Sequence, residues 1–509
     1  MVDILKGKRL YIIGIDAAPL WIIKENYERY SMKGFGKLIN NGVLMDLLST
    51  IPPMTGPSWP SMYTGFRPGE HGVPDFFRVL PNYTKDVTYY NPDIKEPFWD
   101  VLAREGLKSL VITPAMMVRL PKEDGVDMIT GFPLPARFSS ERVRRVAKRY
   151  RFNGEPNIEK RIKSGELSLK GASDIYVDSI KKRAAITRNL MSSNNYDIVF
   201  TCFTETDRIQ HFSLNLKDWK SYVLPLYQEI SKFIEFITDK AEREGARVIV
   251  VSDHGAQPIK EKFLMNSWLI QKGYASLKPE LNSQIEAGSD SMRYRIRERV
   301  IRSKMRKVYD KLPASGKKLA KNIIAKTLAG ASGEDYTRIH DFDFDMSKTR
   351  AFSTISNWTV CSIYLNDSRF EEGIVERGER ERIKRKLIRD IMSIKDKDGK
   401  RLMVRAFDAD DYYENTELFI APDVMAEIKR GYFIDVFGYL KSGGLFMKPE
   451  MAKRGDHMNE GIFGLIDYGM RLDYKRISRK KLYVYSISPT VTEYFGVKAS
   501  HDTRYRSIA

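Results

Sequence analysis

The sequence predicts a layered α/β protein, an αβα sandwich around a mostly parallel sheet. Three observations carry that expectation. Short apolar, β-branched runs recur along the first 275 residues, helical stretches separate them, and three of the runs lead into acidic or imidazole side chains. Strands alternating with helices build parallel sheets covered on both faces. Such sheets collect ligands at the carboxyl ends of their strands.

The elements follow in order. Residues 9–16 read as a strand ending on Asp16, 21–40 as a helical stretch and 43–48 as a second strand. A loop rich in proline, serine and threonine spans 51–60, with a helix expected from about Ser58 to Thr64 and a turn at Arg67-Pro68-Gly69. A helix over 98–105, a strand over 109–113 and a polar helical region over 139–195 come next. Residues 197–203 form another apolar run that leads to Asp207. A helix over 222–244 then leads to Arg247-Val248-Ile249-Val250-Val251-Ser252, which runs directly into Asp253-His254.

The pattern changes near residue 275. Residues 291–330 carry the densest cationic run, read as one or two basic amphipathic helices. Strand-like runs return over 351–365, followed by a charged helix over 376–394, an Asp-Gly turn at 395–400, a strand over 462–466 and a closing helix over 489–495. The expected organisation is an α/β core over 1–275, a basic helical insertion over 276–340, a smaller α+β subdomain or cap over 341–449, and the last part of the core over 450–509.

Composition bounds the function classes. With 509 residues, 30% charged and 42% hydrophobic, the chain is an ordinary globular protein long enough for more than one domain. Its two cysteines, Cys202 and Cys361, lie in apolar runs and read as buried thiols. The apolar stretch 10–15 stops at Asp16, too early for a signal sequence, and no run approaches the ~18 apolar residues of a membrane span, so a soluble cytoplasmic protein is expected. A net charge of +19 favours anionic partners, or is simply a solvated basic surface. The 291–330 stretch is the expected contact for a nucleic acid or membrane, with a solvated helical face as the alternative.

The six histidines stand at 71, 211, 254, 340, 457 and 501. Three follow an aspartate by one or four residues: Asp207 and His211, Asp253 and His254, Asp456 and His457. Carboxylate and imidazole are the usual ligands of zinc and related divalent ions. Asp207 and His211, four apart, share a face if that segment is helical. Thr55 and Ser58 lie where a helix begins, and free backbone amides there favour an anion. A hydroxyl nucleophile, ligands for two metals and an anion-ready helix end are the parts of phosphoryl transfer.

These residues resemble the alkaline phosphatase superfamily, and within it the type I phosphodiesterase/nucleotide pyrophosphatase family, archaeal-type members included. The matching blocks are Ile13-Gly14-Ile15-Asp16, Pro52-Pro53-Met54-Thr55-Gly56-Pro57-Ser58-Trp59, Tyr63-Thr64-Gly65, Pro68-Gly69-Glu70-His71-Gly72, Thr206-Asp207-Arg208-Ile209-Gln210-His211-Phe212, Ser252-Asp253-His254-Gly255 and Gly455-Asp456-His457. The resemblance implies an alkaline-phosphatase-like core and two divalent metals, zinc or manganese. It implies that Asp207, His211 and His457 hold one metal, and that Asp16, Asp253 and His254 hold the other, which also touches Thr55. Thr55 would then attack as an alkoxide, giving a phosphothreonine intermediate that water hydrolyses, with the Gly56 amide on an equatorial oxygen.

Other residues in these blocks receive plainer readings. Ser58 reads as a helix N-cap, His71 as structural, and Asp456 as orienting His457 or its loop. Phe76, Trp99, Phe132, Trp358 and Tyr364 are candidates for a stacking wall, with core packing the expectation. The chain departs from eukaryotic relatives by carrying Gly56-Pro57-Ser58 where they carry Phe-Pro-Asn. No arginine aligns with the phosphate clamp of the monoesterases, which favours diesters. The expected activity is therefore metal-dependent hydrolysis of a phosphate-ester small molecule at a phosphodiester or pyrophosphate bond. The alternatives are a phosphotransferase or mutase acting on a phosphorylated sugar, glycan or lipid head group, and a non-catalytic nucleic-acid- or membrane-binding protein on the same fold.

Overall fold

The computed structural model describes residues 9–279, 336–338, 343–440, 443–449 and 454–498, save Tyr89, Pro92, the segment 355–358 and Asn415. The 291–330 stretch, most of the 276–340 insertion, His340, His501 and Trp358 lie outside the described residues.

Seven strands form the central sheet in the order Val43–Leu48, Glu460–Asp467, Arg247–Val251, Leu10–Ile15, Ile198–Phe203, Ser109–Ile112, Val126–Ile129. The last five run parallel to one another. The strand Glu460–Asp467 is antiparallel to both its neighbours and carries the returning chain into the sheet. The sheet is thus mostly parallel, as the sequence predicts.

Leu10–Ile15 and Arg247–Val251 are buried along their whole length, which is why they read as continuous apolar runs. Successive side chains still point to opposite faces. Tyr11, Ile13, Ile15, Val248 and Val250 join the layer beneath helices Lys33–Asn41, Leu169–Ser193 and Lys220–Glu244. Leu10, Ile12, Ile249 and Val251 join the other layer, with Trp59, Met62 and Tyr63 of helix Thr55–Thr64 and with Trp99 and Val491. Cys202 and Cys361 are both buried, as expected.

A second, four-stranded antiparallel sheet orders Ala351–Phe352, Val360–Leu365, Val424–Ile428 and Met403–Asp408. It buries a separate core with Ile383, Leu387 and Ile391 of helix Arg377–Met392. This unit reaches the central layers through tyrosines: the Ile51 amide donates to Tyr412 Oη at 2.9 Å, and Tyr413 Oη donates to Ile51 O at 3.4 Å. Among the described residues no helix is long and apolar enough to cross a membrane.

Two local expectations differ from the structure. The 21–40 stretch is two helices, Leu20–Asn26 and Lys33–Asn41, separated by a turn with Ser31 at φ +51°. The helix expected from Ser58 starts at Thr55, so Ser58 is not its N-cap. Ser58 instead donates its amide to Met54 O and shares its hydroxyl with Ser49 Oγ and Thr50 Oγ1 at 2.8 and 2.7 Å. Two prolines hid this start, because Pro57 sits in the first turn and Pro60 inside the helix.

Gly34 marks the closest helix contact. A Cβ there would lie 2.2 Å from Ser231 O, while the Gly34 amide donates to Ser231 Oγ at 3.0 Å. Gly34→Ala is expected to cost about 1–3 kcal/mol, the usual penalty of overpacking. Urea denaturation checks this, and a midpoint equal to the wild type's would contradict it.

Candidate active site

The carboxyl ends of three parallel strands open into one buried volume. Asp16 follows Leu10–Ile15, Asp253 and His254 follow Arg247–Val251, and Asp207 and His211 lie on helix Glu205–Ser213 just after Ile198–Phe203. His457 comes from strand Gly455–Met458, whose pairing with Gly255–Pro258 sets it opposite Ala256. Thr55 opens its helix at the same place.

The structure brings all seven predicted ligand residues together. Asp207 Oδ1 lies 3.2 Å from His211 Nε2 and 3.3 Å from His457 Nε2, and the two Nε2 atoms are 3.2 Å apart. His254 Nε2 lies 3.2 Å from Asp253 Oδ2 and 3.6 Å from Asp16 Oδ1. Thr55 Oγ1 is 3.4 Å from both Asp16 Oδ1 and His254 Nε2. A tetrahedral zinc site with ligand bonds of about 2.0–2.1 Å has its donor atoms roughly 3.3 Å apart. The Asp207, His211 and His457 donors have that spacing, and the Asp16, Asp253 and His254 donors all lie within 4.8 Å of one another.

The histidine rings are turned for metal binding. The Nδ1 atoms of His211, His457 and His254 face the carbonyl oxygens of Gly455, Pro53 and Gly255 at 2.9, 2.9 and 3.0 Å. A carbonyl only accepts, so each Nδ1 carries the proton and each Nε2 presents its lone pair to the cluster. Burial, then the neighbouring His457, holds the His254 imidazolium well below the ordinary histidine range, so this ring is neutral.

The carboxylates divide by environment. Burial pushes Asp16 well above the ordinary range, and Asp253 and Asp207 add like charge. Burial does the same to Asp253, against the amides of Ala17 and His254. Burial also raises Asp207, but His211 and His457 outweigh it and hold the group well below that range. Asp253 Oδ2 is buried without a hydrogen bond. An unpaired buried carboxylate oxygen costs several kcal/mol by order of magnitude unless a cation balances it. The donor set, its spacing and this orphan oxygen all fit divalent cations.

Helix Thr55–Thr64 begins beside these clusters, and backbone amides at a helix start favour an anion. The amides of Thr55 and Gly56 precede the first intrahelical donor, the Ser58 amide, which bonds to Met54 O at 3.0 Å, and Pro57 has no N–H. A Cβ on Gly56 would lie 3.2 Å from Asp75 C and Phe76 N, so the chain at 75–76 covers it closely.

The remaining predicted positions sort clearly. His71 is fully buried and bonded to Ser61 Oγ at 2.9 Å, a structural histidine as expected. Asp456 Oδ1 accepts the His457 amide at 2.8 Å, the orienting contact expected of it. Trp99 and Tyr364 are core residues. Phe76 and Phe132 are half-buried and meet edge to face at 6.1 Å.

Sequence reasoning missed three contributors. Trp59 Nε1 donates to Asp16 Oδ2 at 3.3 Å. Arg208 stacks 4.6 Å over Phe132 and pairs with Glu155 at 3.1 Å and with Glu159, while Arg183 holds Glu205 at 2.9 Å. Asp75 is the third. Motif spacing signalled the first two only as unexplained letters, and nothing in the sequence signals Asp75.

A family model described as type I phosphodiesterase / nucleotide pyrophosphatase matches residues 10–438. The chain belongs to that family. It is a phosphoester hydrolase by that membership, and its core is alkaline-phosphatase-like. His457 lies beyond the matched span, so its place in the site rests on geometry. No curated protein matches the sequence. Two solved structures of phosphonoacetate hydrolase from Sinorhizobium meliloti 1021, with phosphonoformate and with phosphonoacetate, each align with TM-score 0.54, at 12% and 11% identity, over 95% of this chain and 94% of theirs. Murine ectonucleotide pyrophosphatase / phosphodiesterase 5 aligns with TM-score 0.47 at 11% identity, over 97% of this chain and 96% of its own.

Asp75 gives a pH test. Burial pushes its carboxyl up to about 7, against the Phe76 and Phe77 amides and Lys85. A raised group contributes stability below its unfolded pKa and loses it as pH rises through its folded pKa. Wild-type stability is therefore expected to fall from about pH 4 to about pH 7 relative to Asp75→Asn, by at most about 4 kcal/mol. Urea titrations across that range measure it; a difference independent of pH would refute it.

Proposed function

We propose that the chain hydrolyses phosphodiester or pyrophosphate bonds with Thr55 as nucleophile. The donor spacing in the two clusters carries this reading. Asp16, Asp253 and His254 would hold one divalent cation beside Thr55, and Asp207, His211 and His457 the other. Zinc suits the nitrogen-rich set, and manganese is the second choice. Cations there supply charge neutralisation for an in-line displacement and lower the pKa of a bound hydroxyl.

The chain's own residues do the rest. Thr55 Oγ1 donates to Asp16 Oδ1 at 3.4 Å, so its proton has a carboxylate acceptor when it leaves, while His254 Nε2, also at 3.4 Å, keeps its lone pair for the cation. The oxygen attacks phosphorus, a new P–O bond forms, and the bond to the leaving alcohol breaks, that alcohol taking up a proton. The amides of Thr55 and Gly56 receive the equatorial charge. Water then cleaves the threonyl phosphoester, which restores the hydroxyl and releases the phosphomonoester. Arg208 and Arg183 are already engaged by glutamates, so neither supplies the extra cationic clamp a dianionic monoester needs. Diesters are the preferred substrates on that account.

Thr55→Ala is expected to lower turnover of a bis-aryl phosphate diester by about 10³-fold or more, with Thr55→Ser retaining measurable activity. Wild type should prefer the diester to the aryl monoester. Unchanged diester turnover in Thr55→Ala would remove Thr55 as nucleophile, and a monoester preference would overturn the substrate assignment. Chelation should abolish activity, and zinc or manganese should restore it; full activity in a chelated, metal-free sample would sink the cation reading.

A further inference from the structure

We infer that Gln210 is the positioning residue that ties the two cation clusters into one unit, an inference that rests on the two-cluster reading above. Gln210 lies between Asp207 and His211 on helix Glu205–Ser213, and it is 1% exposed. Its side chain serves the other cluster. Nε2 donates to Ala17 O at 2.9 Å and to Thr206 O at 2.8 Å. Both partners only accept, so the amide face is set, and Tyr227 Oη donates to Oε1 at 3.5 Å on the far side.

The bond to Ala17 falls on a turn with a strained backbone. Ala17 follows Asp16 directly and sits at φ +55°, the left-handed region that costs a non-glycine residue about 1–3 kcal/mol. Its conformation aims its amide at Asp253 Oδ1, at 3.2 Å, and the Ala18 amide meets Ser252 Oγ at 2.8 Å. The turn's amides are thus held by the segment carrying Asp253. Its carbonyls are held by the helix carrying Asp207, through Gln210 to Ala17 O and through Thr206 Oγ1 to Asp16 O at 2.5 Å.

The third ligand-bearing segment docks on the same helical turn. A Cβ on Gly455 would lie 2.4 Å from Gln210 O, so only glycine lets strand Gly455–Met458 and His457 approach this closely. Gln210 therefore stands where all three segments meet. Ordering the helix by a cation at Asp207, His211 and His457 fixes Ala17, and with it Asp16 and Asp253. Linkage makes the effect reciprocal.

The test uses the full chain and the near-isosteric Gln210→Met, with zinc or manganese as the probe. Calorimetric titration should show affinity at the Asp16, Asp253 and His254 cluster falling about 10–100-fold, as for other outer partners of metal ligands. That loss is read in an Asp207→Asn background; in an Asp16→Asn background, where no coupling is left to lose, the Asp207, His211 and His457 cluster should keep its affinity in Gln210→Met. In metal-free protein the Ala17 and Ala18 amides should exchange hydrogen faster in the variant. Unchanged affinity at the Asp16, Asp253 and His254 cluster, an equal loss in the two single-cluster backgrounds, or unchanged exchange at those amides would overturn the inference. A wild type that binds no cation would instead sink the two-cluster reading, while the exchange result alone still decides whether Gln210 holds the turn. If Gln210→Met does not fold, Gln210→Glu, which sets a carboxylate against the same carbonyls, carries both measurements.

Discussion

The site is organised by the burial of like charges. Asp16, Asp207 and Asp253 stand close together; burial pushes Asp16 and Asp253 well above the ordinary range, and Asp207 alone of the three is held below it, by His211 and His457. In a low-dielectric interior such a group either takes up protons or gains a cation. The surrounding structure favours the second outcome. Three imidazoles spend their Nδ1 protons on backbone carbonyls and keep Nε2 lone pairs for the cluster. Ala17 accepts a strained backbone to cap one oxygen of Asp253 and leaves the other exposed to the site. Stability is forgone locally so that ligands can stand close together, a common trade at functional sites.

Much of this was legible because parallel strands buried on both faces leave continuous apolar runs, and their carboxyl ends are where ligands must be. Asp16 and Asp253-His254 could be read from the runs before them, and Asp207 with His211 from helical spacing. His457 needed the family resemblance, since its strand pairs with residues some 200 positions earlier. The helix start at Thr55 was obscured by two prolines, and the antiparallel return strand by the absence of any local signal for its partners. Contacts that act across the chain stayed silent for the same reason. Gln210 with Ala17, Trp59 with Asp16, and the tyrosines of the second sheet with Ile51 each join residues far apart in sequence.

The departure at Gly56 has a steric cause in the structure. Where the eukaryotic members this chain resembles carry a bulky residue after the candidate nucleophile, the backbone of Asp75 and Phe76 here lies 3.2 Å from the position a Cβ would take. The space beside Gly56 is occupied by main chain from another segment rather than by a side chain of the same helix.

The second sheet is therefore more than an appendage. Tyr412 and Tyr413 bond both backbone groups of Ile51, four residues before Thr55, and Tyr413 O packs against Gly69, where a Cβ would lie 2.6 Å away. His457 holds the same loop from the opposite side through Pro53 O. The loop that presents the hydroxyl is thus clamped between the smaller subdomain and a candidate metal ligand. A shift in either would move Thr55 relative to its partners at 3.4 Å, and an in-line displacement tolerates little error in that position. The position of the proposed nucleophile is thus set by elements outside its own helix.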